Sequence, residues 1–356
     1  MNYAKKAMAA AALLAMPVLM TSCEDILGHW EKPTPEVTLP SGMLDTPLTL
    51  EAAEAGATVT FKFCEGLSGP VEYSTDYTTW HAYTSSTPVT LENVGDKVSF
   101  RGNNPTYYNS EASSSKASKL KCDKVAYVYG NIMSLITPTS FATNTTLTGH
   151  KAFGFLFSGS EVAIHHLKNH PDATKTLELP AKTLTEECYF GMFEYTDLTI
   201  APKLPATTMV KDCYRQMFLG CSSLITPPEL PATALAKQCY GTMFYECTSL
   251  ETAPELPATT LAEWCYSYMF YKCTSLTTAP KLPATELVEN CYGGMFSNCT
   301  HLNEAWVKAD YAAGNSECKD MFNNCASSGT LHTATTSTHW VAGTDMPNTW
   351  TVEKNY

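Results

Sequence analysis

A chain of 356 residues, 44% of them apolar, is long enough for two domains and can bury a sizeable core in each. Its formal charge of −12 supplies no counterion-release drive towards nucleic acid or anionic lipid, so neither is expected as a partner. Fourteen cysteines call for either a disulfide framework or an interior in which thiols serve as small apolar groups.

At the amino terminus, Lys5 and Lys6 precede an apolar run from Ala7 to Met20 that is too short to span a membrane as a mature helix. It ends in Leu19-Met20-Thr21-Ser22-Cys23, and 1–22 is expected to be a removable export signal. The stretch from Glu31 to Pro47 is rich in Pro, Ser and Thr, which makes 23–45 a linker. From 46 to 135 the pattern is that of short strands. Ala57 to Phe63 and Asp96 to Arg101 alternate with period two, and Val71 to Thr75 and Pro88 to Leu91 are shorter candidates. Turn formers at Gly66, Gly69, Asn93 and Gly95 separate them, and the spacing predicts an all-β, immunoglobulin-like (Ig-like) sandwich. Ser110 to Ser118 reads as an exposed hairpin loop.

Residues 136–325 are organised by a repeat. It reads LPATTMVKDCYRQMFLGCSSLITPPE from Leu204, LPATALAKQCYGTMFYECTSLETAPE from Leu230, LPATTLAEWCYSYMFYKCTSLTTAPK from Leu256 and LPATELVENCYGGMFSNCTHL from Leu282, a spacing of 26 each time. An earlier copy from Leu179 is one residue shorter, and a last one survives as Cys318, Met321, Phe322 and Cys325. Between Ile136 and Leu179 lies a degenerate first copy, with Ala152-Phe153 and Leu156-Phe157 in place of Cys-Tyr and Met-Phe. A fixed period of this size means a stacked solenoid.

In the third of those full copies, Leu261, Ala262, Cys265, Tyr266, Met269, Phe270 and Cys273 recur at three- and four-residue steps, which predicts a helix. Thr260 with Glu263, and Thr183 with Glu186, have the form of capping boxes at its start. The other half, Ser275 to Leu282, is short, and Pro280 and Pro283 forbid a helix there. The expectation is an α/β leucine-rich-repeat solenoid with one short strand and one helix per 26-residue repeat. Strands ~4.8 Å apart and helices ~8–10 Å apart would curve the stack, strands on the concave side and helices on the convex. The tail from 326 to 356, with Trp340, Pro347 and Trp350, is expected to cap the last copy.

The motif MF-x-x-C-[TS]-S-L, at Met243 to Leu250 and Met269 to Leu276, resembles the repeat of BspA-like leucine-rich-repeat surface proteins of gut and oral bacteria. The resemblance covers roughly Ala152 to Cys325. Glu72 to Asp76, Gly95 to Gly102 and Gly130 to Leu135 look like the β-domain that often precedes such repeats in Bacteroides proteins. Thr21-Ser22-Cys23 resembles a bacterial lipoprotein signal with Cys23 as the lipidated residue. Glu24 and Asp25 resemble the acidic signal that sends such lipoproteins to the outer face of the outer membrane. The resemblance implies a cell-surface lipoprotein of the Bacteroides group, lipid-anchored in the outer membrane and facing the exterior. It further implies a non-enzymatic adhesion or recognition module that binds a host or microbial surface protein and touches the membrane only through its anchor. A glycan-binding accessory of a surface uptake system, or a structural spacer, is the alternative.

No nucleophile elbow, Walker loop, HExxH or dinucleotide fingerprint occurs, so neither an enzyme nor a cofactor is expected. Eleven cysteines form two columns, Cys188, Cys213, Cys239, Cys265, Cys291 and Cys318, then Cys221, Cys247, Cys273, Cys299 and Cys325. On a continuous helix the pair within a copy would stand ~12 Å apart, too far for a disulfide. Buried free thiols are expected, with pairing between neighbouring copies left open. His166 and His170 would share a helix face but lack a third ligand, so no metal is expected. The tyrosines following the first cysteine column are expected at the edge of the core.

Two sets of residues remain as candidate ligand-binding positions. Counted alternately from the inward leucines Leu224, Leu250, Leu276 and Leu302, Ile225, Glu251, Thr277 and Asn303 fall on the concave face, with Glu229, Glu255 and Lys281 further along. They change from copy to copy while their neighbours do not. The rival set is convex: Tyr245, Trp264, Tyr268 and Tyr271, aromatic residues of the kind that anchor interfaces.

Overall fold

The computed structural model describes residues 43–67, 69–108, 116–160, 166–311, 316–338, 340–343 and 346–356. The expected export signal, Cys23, nearly all of the expected linker and most of the Ser-rich run lie outside these. The alternating sequences form strands. β1 (Leu48–Ala52), β6 (Lys97–Gly102), β3 (Val71–Ser74) and β4 (His81–Ala82) are successive antiparallel neighbours, and β8 (Ala126–Asn131) flanks β1 on the other side. A second sheet has the order β5 (Val89–Leu91), β2 (Ala57–Lys62), β7 (Lys119–Cys122). In β2 the even steps Ala57, Val59 and Phe61 turn inwards, and Phe61 meets Phe100 of the facing sheet edge-on at 5.5 Å.

β8 also begins the repeats. It pairs in parallel with β9 (Leu167–Asn169) and β10 (Leu177–Glu178) of the first copies. Inside, a file of stacked rings runs from Phe61 through Tyr107 and Phe153 to Tyr189. One hydrophobic core therefore extends from sandwich to solenoid.

The helix expected in each repeat is not there. No α-helix occurs among the described residues; short 3₁₀ segments such as Ile132–Leu135 and Phe141–Thr143 are the only helical turns, and the solenoid is built from turns and strands. From Asp212 to Cys221 the backbone hydrogen bonds alternate. Cys213, Arg215, Met217, Leu219 and Cys221 donate to the carbonyl three residues back, whereas Asp212, Tyr214, Gln216, Phe218 and Gly220 donate to the next repeat. Each fourth residue lies in the left-handed region, as at Asp212, Gln216 and Gly220, then Gln238, Thr242 and Glu246. The capping boxes accordingly have no helix to cap.

This geometry removes the reason for curvature. A helix closes its N–H groups on itself and keeps its neighbour ~8–10 Å away. Here half of the N–H groups tie one repeat to the next, and like rings stack closely. Phe193, Phe218, Phe244 and Phe270 follow one another at 5.5 to 5.7 Å with planes 3° to 11° apart. Tyr189, Tyr214 and Tyr240 do so at 5.7 and 5.9 Å. The strand side and the turn side thus advance by similar steps, and the faces are better described as strand face and turn face than as concave and convex.

On the strand side, prolines recur in every copy (Pro227, Pro228 and Pro231, then Pro254 and Pro257) and have no N–H to give. Contacts between copies there are isolated bridges such as Ile200 to Thr226 and Ala234 to Thr260. Towards the end of the stack a parallel sheet forms from β11 (Thr278–Leu282), which still carries Pro280, and the proline-free strands β12 (Glu304–Val307), β13 (Gly329–Thr333) and β14 (Trp350–Lys354). The end of the stack is closed by Trp340 and Trp350, whose rings pack on Phe322. Their indole N–H groups donate to Ala309 O and Ala326 O.

Candidate functional site

The strand-face positions Ile225, Glu229, Glu251, Glu255, Thr277, Lys281 and Asn303 are all exposed. The leucines that frame them, Leu224, Leu250, Leu276 and Leu302, are fully buried. Leu230, Leu256 and Leu282 are nearly so. A rigid frame therefore carries side chains that packing does not choose. Lys281 stands in register with Trp306, Trp306 with His332, and His332 with Glu353. Trp306 and His332 stack at 4.9 Å with planes 9° apart. His332 lies 3.5 Å from both Glu304 and Glu353, and its Nδ1 is 2.9 Å from Asn355 Oδ1. The row thus ends in an aromatic pair flanked by a cation and carboxylates. Trp306 and His332 were not among the expected site residues. Glu304-Ala-Trp-Val307 alternates with period two and lacks proline, which is the signal that would have placed Trp306 on this face.

The turn-face set is brought together, but largely onto itself. Tyr245 and Tyr271 stack at 4.5 Å, and Tyr268 meets Tyr271 edge-on at 5.8 Å. Lys272 lies 5.5 Å over the Tyr271 ring and pairs with Glu246 at 2.6 Å. Trp264 is half-buried, and Tyr268 is exposed.

No family model, curated protein or solved structure matches the chain.

The two cysteine columns are buried free thiols. In the second, Cys221, Cys247, Cys273 and Cys299 donate to the carbonyls of Phe193, Phe218, Phe244 and Phe270 in the preceding copy, at 2.9 to 3.1 Å. Thr196 occupies the same place in the copy that lacks this cysteine and bonds to Phe193 O as well. Burial pushes the Cys213 and Cys265 thiols up to about 12, so they stay protonated and poorly nucleophilic. The tyrosine column is buried in its ring stack and presents no ladder to a ligand.

His166 and His170 lie at the two ends of β9 rather than on one helix face. The first pairs with Asp197 at 2.8 Å and the second with Glu51 at 3.2 Å. No group of three or more metal-ligating side chains occurs among the described residues. Glu51 is a junction residue instead. Burial would raise its carboxyl, but bonds from Lys175, Tyr129 and His170 hold it below its ordinary value.

Proposed function

We propose that the protein is a non-enzymatic recognition module of the bacterial cell surface that binds a protein ligand through the strand face of its solenoid. The observation that supports this is the row from Glu229 to Lys281 and on to Trp306 and His332. Differing side chains, exposed from Glu229 to Lys281 and half-buried at Trp306 and His332, stand on a frame held by inter-repeat backbone bonds. Pre-organised side chains lose little entropy on binding, and a tryptophan, here the half-buried Trp306, is a common energetic anchor. The turn-face aromatics Tyr245, Tyr268 and Tyr271 form the rival patch, without the row of carboxylates, Glu229, Glu251 and Glu255, that the strand face carries. A screen of the soluble chain, residues 43–356, against matrix proteins and a glycan array would identify the ligand. Trp306→Ala and the charge reversals Glu251→Lys and Glu255→Lys are then expected to weaken binding about tenfold or more without moving the thermal midpoint. Loss of binding on Tyr268→Ala and Tyr271→Ala, with the strand-face variants unaffected, would transfer the site to the turn face.

The reading includes a lipid anchor at Cys23, proposed from the sequence, that holds the module on the outer membrane. Cys23→Ala is expected to move the protein out of the membrane fraction or to leave its precursor uncut. Normal processing with membrane retention would refute the anchor.

A further inference from the structure

Beside the junction of sandwich and repeats there is a cleft of about 480 Å³ that the strand-face reading does not use. Four aromatic residues, Tyr77, Trp80, Tyr129 and Phe141, and three cations line it, and each cation lies over one of the first three rings. Lys97 Nζ is 4.6 Å from the centre of Tyr77, the Arg101 guanidinium 4.2 Å from Trp80, and Lys175 Nζ 5.0 Å from Tyr129. Lys175 is neutralised by Glu51 at 2.8 Å. Arg101 gives only its Nε to Glu72, at 2.7 Å, so its terminal nitrogens have no carboxylate. The Lys97 ammonium has no ion pair and no hydrogen bond to another described residue. On a chain of net charge −12, two cations with unmatched donors in one concavity need an explanation.

The turn that supplies Tyr77 and Trp80 is held by its own hydrogen bonds. Tyr77 is a non-glycine residue at φ 63°, a conformation that costs roughly 1 kcal/mol and persists only where the surroundings enforce it. The enforcement is visible: the Asp76 carboxylate accepts the N–H groups of Thr78 and Thr79 and the Ser74 hydroxyl, at 2.7 to 2.9 Å. The turn is thereby fixed, and with it Tyr77 and Trp80 at the wall of the cleft.

The size and the donor set define the ligand class. A volume of about 480 Å³ suits a small molecule or one or two sugar rings rather than a helix or a folded partner. Lys97 and the free end of Arg101 match a carboxylate, bidentately in the case of arginine. The aromatic walls suit the apolar face of a pyranose. Asp45, also in the lining, can accept the hydroxyl groups that a sugar carries and a bare inorganic anion lacks. We infer that this cleft binds the acidic end of a carbohydrate, a pyranose that carries a carboxylate. The site is separate from the strand face and stands or falls without it.

The test is calorimetric titration of the chain from residue 43 onwards with digalacturonic acid and with N-acetylneuraminic acid, set against neutral galactobiose and inorganic sulfate. At least one acidic sugar is expected to bind about tenfold or more tightly than both controls. Lys97→Met and Trp80→Ala should each weaken that binding about tenfold with the thermal midpoint unchanged, and Trp306→Ala should leave it intact. Arg101→Lys, which keeps the charge but loses the fork, should weaken it less than Lys97→Met. Failure of both acidic sugars to bind, equal binding of galactobiose, equal binding of sulfate alone, or full binding by the Lys97 and Trp80 variants would each overturn the assignment.

Discussion

Gly130→Ala should destabilise the protein by about 2–5 kcal/mol, the combined cost of a left-handed backbone and of overpacking. Gly130 sits in β8 at φ 88°. An added Cβ would stand 2.2 Å from Pro47 O, 2.9 Å from Pro47 C and 3.0 Å from Thr46 O. All three are backbone atoms, and they have little room to move. Asn131 N donates to Thr46 O at 2.8 Å, β1 begins at Leu48, and Gly130 N itself donates to Thr176 O at 2.9 Å. The methyl would therefore wedge apart β8 and the segment entering β1, at the strand that joins sandwich to solenoid. Gly95 provides the control, because it has the same φ of 88° with nothing within 4 Å of its added Cβ. Gly95→Ala should cost only the conformational part, about 1 kcal/mol. Denaturant midpoints of the two variants and the parent would measure both. Equal losses at the two glycines would show that the close approach to Pro47 does not matter.

How far the sequence reveals this structure depends on which periodicity is asked of it. The period of two in 57–63 and 96–101 was enough to place β2 and β6, and the 26-residue period was enough to announce a stack. The turn side misleads because Cys265-Tyr266, Met269-Phe270 and Cys273 recur at a strict period of four. On a helix each such step overshoots the axis by ~40°, and two steps are too few to separate 4.0 from 3.6. The deciding signal is the left-handed residue every fourth position. It reads as Asn290, Gly294 and Asn298 in one copy, types at ease there. In the preceding copy the same places hold Trp264, Tyr268 and Lys272, which conceal it. The strand-face positions were legible because exposure there follows from alternation about buried leucines. The acidic-sugar cleft was not legible at all. Trp80, Lys97 and Lys175 are far apart in the chain and meet only through the register of β3 on β6 and the pairing of the first repeats with β8.

The second large effect expected is at the centre of the stack, where Phe244→Ala should cost about 3–5 kcal/mol. Phe244 is fully buried, with Phe218 at 5.7 Å on one side and Phe270 at 5.5 Å on the other. How much of the lost volume is recovered depends on whether the neighbours can close in. Here they are held apart by the backbone. Phe218 N donates to Met243 O and Phe244 N to Met269 O, so the spacing of three repeats is fixed by hydrogen bonds that do not involve the ring. A cavity should remain, and with it the full transfer and cavity terms. Four residues earlier, Tyr240 lies in the parallel stack between Tyr214 and Tyr266, and its hydroxyl is buried with no partner among the described residues. Tyr240→Phe keeps the ring and removes an unmatched polar group, so it should stabilise by about 1 kcal/mol. Two rings one turn apart are thus expected to respond with opposite sign. Chemical denaturation followed by circular dichroism would read both changes. A loss below about 1 kcal/mol for Phe244→Ala would mean that the repeats close up on the gap, against the role given to the inter-repeat bonds. A clear loss for Tyr240→Phe would mean that the tyrosine column is held by its hydroxyls and not by its stacked faces.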